Sequence, residues 1–427
     1  MKLFFYILGF VFLSNFSAAQ SIVGLPMAGH VTANSVQVLV IAKNADVLNA
    51  IVELNGEKML KNLSPTSIDT INGNETISFY KVEMNNLLPN SDYKFHFFFP
   101  SLVHPGEYLK VKTLSEEEIY NFDFAVGSCL APFKGVFLGL RPRLKIFDTM
   151  RKTNPDFMIW MGDNVYFLSE EWNEYESMNK KMLDYRKEKH INRFLNNQPN
   201  YSTWDDHDFG PDNSHGGFDN KEMTKAIFNK FWENPRTRPD SLAGIFYKFS
   251  HADADFFIMD SRFNRVPGQE MYGKAQLDWL KEELKESNAT FKFIVSGTQS
   301  IPSTYGEDWG DYGTEKANFL QFIEEENITG LIFFSGDTHY AELNKLERED
   351  NYPLVEITSS ALTSPTFPGA EKSNKGIREL DSFSKKKNFG HISIKGKKGN
   401  RFCKIDIKDK KGKVIWTYKI HESELVN

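Results

Sequence analysis

The chain has 427 residues, a formal net charge of -6 and 25% charged residues. That length supplies buried cores for two domains, and mild acidity with no basic stripe excludes a nucleic-acid surface held by charge. Only Cys129 and Cys403 are present, so no disulfide framework supports the fold, although two cysteines in an oxidising compartment could pair.

The start pairs Lys2 with an apolar run over 3–12 and small residues at Ser17, Ala18 and Ala19. This predicts a secretory signal peptide over 1–19, with Gln20 first after cleavage. The run is too short to span a bilayer comfortably, and no cysteine lies at the cleavage point to take a lipid. The expectation is a periplasmic or secreted protein with no stable membrane span.

From residue 20 to 115, short β-branched and aromatic runs are broken by Asn, Gly, Pro and Ser. Residues 36–41, 50–54 and 77–82 read as strands of an antiparallel sandwich. Leu87-Leu88-Pro89-Asn90-Ser91-Asp92-Tyr93 resembles the Leu-x-Pro-x-x-x-Tyr signature of fibronectin type III domains, in which the tyrosine forms a corner with upstream backbone. That role is structural, and no catalysis is assigned to this domain.

A polar hinge, Ser115-Glu116-Glu117-Glu118, precedes a change of texture to strands alternating with helices over 120–427. Strands are expected at 122–126, Phe157–Met161, 256–259, Phe291–Val295 and Leu331–Ser335, with helices at 144–151, 276–285 and 317–325. Residues 175–195 read as one long polar helix with a solvated face. Residues 402–407 and 414–420 read as a hairpin around Lys411-Gly412.

Several of these strands stop at a small residue followed by a polar one: Gly127-Ser128-Cys129, Gly162-Asp163-Asn164, Ser296-Gly297-Thr298-Gln299 and Gly336-Asp337-Thr338-His339. In α/β folds the loops beyond strand carboxyl ends form the ligand-binding edge. A single Asp there is ordinarily a cap or turn residue. The cluster Trp204-Asp205-Asp206-His207-Asp208 adds hard carboxylate and borderline imidazole ligands, and the combination points to a polynuclear metal site. In Asp163-x-x-Tyr166 the carboxylate can bridge two ions while the phenol faces one of them. Phenolate formation near neutral pH needs a strongly Lewis-acidic ion, which favours ferric iron. The Cys129 thiolate suits iron or zinc, and pairing with Cys403 would remove it.

These blocks, in this order and spacing, are similar to those of the alkaline phosphatase D (PhoD-like) family, and the resemblance spans nearly the whole chain. It implies an α/β fold: a four-layer αββα metallophosphoesterase sandwich over 120–427, C-terminal hairpin included, preceded by an all-β fibronectin III/Ig-like domain. It implies iron(III) and calcium, with other divalent metals possible in their place. The implied activity is exported hydrolysis of phosphomonoesters and/or phosphodiesters by a metal-bound hydroxide. Cys129, Asp163, Tyr166, Asp206, Asp337 and His339 become the expected metal ligands, with Asp163 bridging and Tyr166 and Cys129 on the ferric ion. Asp206-His207 takes the place of an Asn-His pair in related metallophosphatases, which makes His207 the candidate transition-state stabiliser or leaving-group acid.

Relatives often carry Asn-Gln where this chain has Thr298-Gln299, leaving Gln299 as a candidate substrate contact together with Asn213 and Arg262. Arg262 and Arg265 either clamp phosphate by bidentate bonds or pair with Asp260. The expected partners are small-molecule phosphate esters, with no nucleic acid as a regulatory partner. No general-base histidine pairs in sequence with Ser128, so a covalent serine nucleophile is rejected. Two other readings stay open. A purple-acid-phosphatase-like enzyme shares Asp-x-x-Tyr but calls for Gly-Asn-His-Glu and Gly-His-x-His blocks. A catalytically inactive, calcium-stabilised secreted binding protein would act through its N-terminal domain.

Overall fold

The computed structural model describes residues 19–71, 75–101, 108–131, 144–168, 171–302 and 307–427. Residues 1–18, which carry the signal-peptide expectation, lie outside the described residues.

The N-terminal part is built from β1 (Ser21–Ile22), β2 (Met27–Val31), β3 (Ser35–Lys43), β4 (Leu48–Leu54), β5 (Glu57–Leu63), β6 (Ser67–Ile71), β7 (Glu75–Asn85), β8 (Asp92–Phe98) and β9 (Tyr108–Lys112). One sheet runs β1-β3-β7-β6 with β2 also on β3, and the other runs β5-β4-β8-β9. Strand β8 alternates as a half-buried strand should: Tyr93, Phe95 and Phe97 are buried between residues that are not. Those side chains join Val36, Val38, Val40 and Tyr80 of the first sheet in one apolar cluster. Strand β3 is apolar on both faces because its other side chains, Leu39 and Ile41, pack with helical residues of the following part. The Tyr93 hydroxyl accepts the Leu88 backbone N–H at 2.8 Å, forming the corner that the sequence signature anticipates.

The remainder opens with β10 (Phe122–Gly127), α1 (Lys145–Thr153), β11 (Phe157–Met161), α2 (Tyr175–Lys187), α3 (Lys189–Leu195), β12 (Asn200–Thr203), α4 (Asp206–Phe209) and α5 (Lys221–Phe231). It continues with β13 (Tyr247–His251), β14 (Ala254–Ile258), α6 (Lys274–Glu286), β15 (Phe291–Val295), α7 (Gly313–Glu325), β16 (Leu331–Ser335), β17 (Ala341–Arg348) and β18 (Asn351–Ser359). The last strands are β19 (Asn388–Lys395), β20 (Phe402–Asp409) and β21 (Val414–His421). They form two six-stranded mixed sheets, β12-β11-β10-β19-β20-β21 and β13-β14-β15-β16-β18-β17. The parallel runs β10-β11-β12 and β14-β15-β16-β18 lie within them.

Aromatic rings join the two sheets. Phe124 stacks on Phe157 at 5.2 Å within its own sheet and meets Phe256, Phe293 and Phe334 of the other sheet edge-on at 5.3, 5.6 and 5.9 Å. Alternate residues of the same strands, Ala125, Met158 and Trp160, face the other way, into a cluster with Phe147, Met150, Met182 and Phe194 from α1, α2 and α3. With both faces covered, β11 reads as an unbroken apolar run. Leu277, Leu280, Phe319 and Ile323 from α6 and α7 belong to the inter-sheet cluster.

One expectation is corrected. The helix expected over 175–195 breaks at Glu188, whose backbone is extended and whose carboxylate accepts from the amides of His190 and Ile191, capping α3. Nor is the pair a solvated face, since Met178, Met182, Leu183 and Tyr185 are buried. The cysteine pairing that the sequence left open is not made: Cys403 lies within the inter-sheet core on β20 while Cys129 lies in the loop after β10, and both are free.

Tyr93→Phe should cost about 1–2 kcal/mol of unfolding free energy by stranding the Leu88 amide, read from a denaturant titration. A loss indistinguishable from zero would show that the corner is not stabilising.

Candidate metal centre

The candidate ligands follow the carboxyl ends of strands from both six-stranded sheets: Cys129 after β10, Asp163 and Tyr166 after β11, Asp205 to Asp208 after β12, and Asp337 and His339 after β16. Local backbone is bent to bring them together. Cys129, Asp163, Asp337 and His339 have φ of 60°, 53°, 67° and 60°, a region that L-residues enter at a cost and that concentrates at functional sites. The loops also approach so closely that a Cβ on Gly162 would meet the Asp205 Cβ at 2.6 Å, and one on Gly336 would meet Ser128 Oγ at 2.5 Å.

Three groups of potential ligand atoms result, each with its atoms within 4.8 Å of one another: Cys129, Asp163 and His339; Asp163, Asp206 and His207; and Asp205, Asp206 and Asp337. Asp163 is shared by the first two and Asp206 by the last two, so the groups form one linked array. The Tyr166 hydroxyl joins the first, donating to Asp163 Oδ2 at 2.7 Å and lying 3.1 Å from His339 Nε2. His339 Nδ1 lies 2.9 Å from the Pro365 carbonyl; an N–H there directs Nε2, as an unprotonated nitrogen, towards the array. Cys129 Sγ lies 3.5 Å from Asp163 Oδ2 and 3.0 Å from Ser360 Oγ.

Burial dominates the electrostatics. It pushes the Asp163 carboxyl well up, and Asp206, Asp205, Asp208 and Asp337 push it further. Burial likewise raises Asp337, the Cys129 thiol and the Tyr166 phenol, with Asp163 adding to the last two. Burial also opposes ionisation of Asp206, but Arg262, His207 and the amides of Asn213 and His207 outweigh it and hold that carboxyl at about 2. Asp163 Oδ1 and Asp205 Oδ2 are buried without any hydrogen-bond partner, a costly state for a carboxylate oxygen unless a cation meets it. The residues therefore fit metal ions. The thiol, phenol and imidazole around Asp163 suit iron, and the all-carboxylate set suits a hard ion such as calcium.

Among the expected ligands, the structure brings Cys129, Asp163, Tyr166, Asp206, Asp337 and His339 into this array together with His207. Asn213 sits at its rim, donating its backbone N–H to Asp206 Oδ2 at 2.8 Å with its side chain exposed. Arg262 is placed differently from the clamp expectation. It is fully buried, with Nε on Asp205 Oδ1 at 2.5 Å and its other nitrogens on Glu307 Oε2 and Thr298 Oγ1, so its fork is occupied within the protein. Neither Arg262 nor Arg265 forms a side-chain pair with Asp260. Arg265 binds Glu307, and the Asp260 carboxylate accepts from Trp204 Nε1 and the amides of Ile245, Arg262 and Phe263. Gln299 is likewise engaged elsewhere: its amide donates to Glu342 and Thr358 in a buried network, not towards the array.

Sequence reasoning counted Asp205 among the carboxylates of its cluster without naming it as an expected ligand; here it belongs to the array, and its Oδ2 is buried without a partner. Asp208 instead ties the loops together, accepting the amides of Asn164, Val165 and Asp205. Ser360 and Ser364, which touch Cys129 and Tyr166, were also missed. The only trace of them is a run of small hydroxyl residues after β18.

The sequence profile described as PhoD-like phosphatase matches residues 124–411. The chain belongs to the PhoD-like phosphatase family. Alkaline phosphatase D of Bacillus subtilis (strain 168) is 21% identical over 357 residues, covering 69% of this chain and 58% of that protein. The solved structure of PhoD is similar at a TM-score of 0.70 and 16% identity, over 90% of this PhoD-like chain and 85% of the other. Purple acid phosphatase PPD1 from yellow lupin (Lupinus luteus) seeds is similar at a TM-score of 0.68 and 10% identity, over 93% of this chain and 74% of that one. These two likenesses establish a shared fold.

Asp163→Asn tests the array directly. Metal retention should fall by about 10–100-fold or more, the scale of even outer-shell changes, measured by elemental analysis after dialysis. The metal-free variant should melt no lower than metal-free wild type, because an amide replaces a carboxyl whose ionised form burial penalises. Unchanged metal content would make Asp163 a turn residue.

Proposed function

We propose that the protein is an exported, metal-dependent phosphoesterase acting on phosphomonoesters and/or phosphodiesters of small molecules. The observation that carries this reading is the linked array, in which Asp163 joins a sulfur-, nitrogen- and phenol-rich group to a middle group with Asp206 and His207, and Asp206 joins that one to an all-carboxylate group. Cys129, Tyr166, His339 and Asp163 would hold iron(III). Asp206, Asp337 and Asp205 would hold calcium, with Asp163 bridging. When bound, such ions lower the pKa of a water and neutralise phosphoryl oxygens during in-line displacement.

The chain's own groups do the rest. His207 keeps a quarter of its side chain exposed, with its ring 4.3 Å from that of Tyr166 and Nε2 3.6 Å from Asp212. From there it can hold a proton at Nε2 and deliver it to the departing ester oxygen. Arg262 acts indirectly, fixing Asp205 Oδ1 so that Oδ2 is left for a cation. Asn213 at the rim remains a candidate substrate contact. Ser128 is directed at the Ser359 carbonyl and Cys129 rather than at a base, which supports direct attack by water.

In the same reading, residues 120–427 form a four-layer αββα sandwich and residues 20–115 a fibronectin III/Ig-like domain. Export rests on the leader pattern over 1–19. Among the described residues, no helix is long and apolar enough to cross a membrane. The purple-acid-phosphatase-like alternative shares the fold, but this chain carries Trp-Asp-Asp-His and Gly-Asp-x-His in place of its blocks.

Exhaustive chelation should abolish release of nitrophenolate from aryl phosphate esters, and re-addition of iron and calcium should restore it. Full turnover by metal-free protein would overturn the assignment. Purified active protein should also show visible charge-transfer absorption from Tyr166 and Cys129 on ferric iron, with the phenolate part lost in Tyr166→Phe. A colourless, active enzyme holding only calcium or zinc would remove the iron assignment.

A further inference from the structure

Four rings are joined in series through the candidate centre, each in contact with the next. His207 lies 4.3 Å from the Tyr166 ring, the Tyr166 hydroxyl lies 3.1 Å from His339 Nε2, and the His339 ring stacks on Phe367 at 4.9 Å with an interplanar angle of 13°. The inner two, Tyr166 and His339, are 1% and 4% exposed, whereas the terminal Phe367 is 46% exposed. One face of the phenyl ring covers the imidazole, so its exposure is largely on the opposite face and edge.

The segment carrying Phe367 is pinned to the site. Thr363 Oγ1 accepts the Ala131 amide, Ser364 Oγ donates to the Cys129 carbonyl, the Pro365 carbonyl meets His339 Nδ1, and Thr366 Oγ1 donates to the His339 carbonyl. A large apolar side chain left half in water, on backbone held by the centre's own residues, is a preformed surface for an apolar group. A planar group gains most there, through offset stacking.

Position in the series decides which part of a substrate this is. Resting on the phosphoesterase reading above, His207 protonates the departing oxygen, so the leaving group lies towards the His207 end. Phe367 is at the other end. We infer that Phe367 is a specificity-determining residue that receives the retained, non-leaving substituent of a phosphodiester and favours planar or aromatic substituents there.

The test compares two diesters with the same leaving group, bis(4-nitrophenyl) phosphate and methyl 4-nitrophenyl phosphate, on the metal-loaded full chain. Phe367→Ala should lower kcat/KM for the aryl diester by about tenfold, mainly through KM, the scale of one aromatic contact. The methyl diester should change by less than about twofold. Because the result is a ratio between substrates, it does not depend on how much of a variant is active. Phe367→Leu keeps an apolar cover on His339 without a planar face and should lose the same preference, while Phe367→Tyr should keep it. Equal losses on both esters would mean that Phe367 only packs against His339, and no change on either would mean that nothing binds there; both overturn the inference. If wild type with iron and calcium supplied hydrolyses neither diester but cleaves 4-nitrophenyl phosphate, this inference falls and the phosphoesterase reading stands; if it cleaves none of the three, both fall.

Discussion

The constraint on which the site depends is the burial of like charge. Asp163, Asp205, Asp206 and Asp208 are at most 3% exposed, and Asp337 is partly buried beside them, within one array of loops. Carboxylates gathered in a low dielectric repel one another and lose their water. Protein groups relieve part of this: Arg262 on Asp205, and backbone amides on Asp206 and Asp208. The remainder appears as carboxyl, thiol and phenol groups pushed towards their neutral forms and as two stranded oxygens. Multivalent cations supply the missing positive charge, and the array is then favourable rather than costly.

Such a site needs a stiff frame, because its backbone sits in disfavoured conformations at four ligand positions. The frame is the aromatic interior between the two six-stranded sheets. Phe124, Phe157, Phe256, Phe293 and Phe334 interlock across it, fixing how the parallel strands end relative to one another. Because the candidate ligands come from strands of both sheets, any slippage between sheets would separate Asp337 and His339 from Asp163. The abundance of Phe, uninformative as composition, acquires a mechanical role here.

This division explains what the sequence disclosed. Strands β11 and β16 were legible as unbroken apolar runs, and β10 and β15 despite one charged residue each, Asp123 and Lys292, while their small-then-polar endings marked the candidate ligand edge. The cluster after β12 was legible because four ligand-type residues in succession have few structural explanations. Strands β17, β18 and β19 were not, since Glu342, Glu356 and Asn388 are buried polar residues satisfied by distant partners such as Gln299, Arg378, Ser300 and Ser359. The same reason hid the true settings of Arg262 and Gln299. A buried ion pair or amide network is a tertiary agreement between segments, and local sequence does not state which segment answers. Phe367 was silent for a simpler reason: nothing in a Pro-rich loop shows that its ring will end on His339.

The order of donor types along the array carries a last consequence. One end offers sulfur, imidazole and phenol, the other carboxylates alone, and Asp163 and Asp206 belong to neighbouring groups at once. A soft or strongly Lewis-acidic ion is therefore directed to the Cys129 end and a hard ion to the Asp337 end by ligand chemistry, without separate cages. Shared carboxylates couple the two. Replacing either shared carboxylate would therefore weaken both groups to which it belongs, whereas a change at Cys129 or Asp337 would touch one end alone.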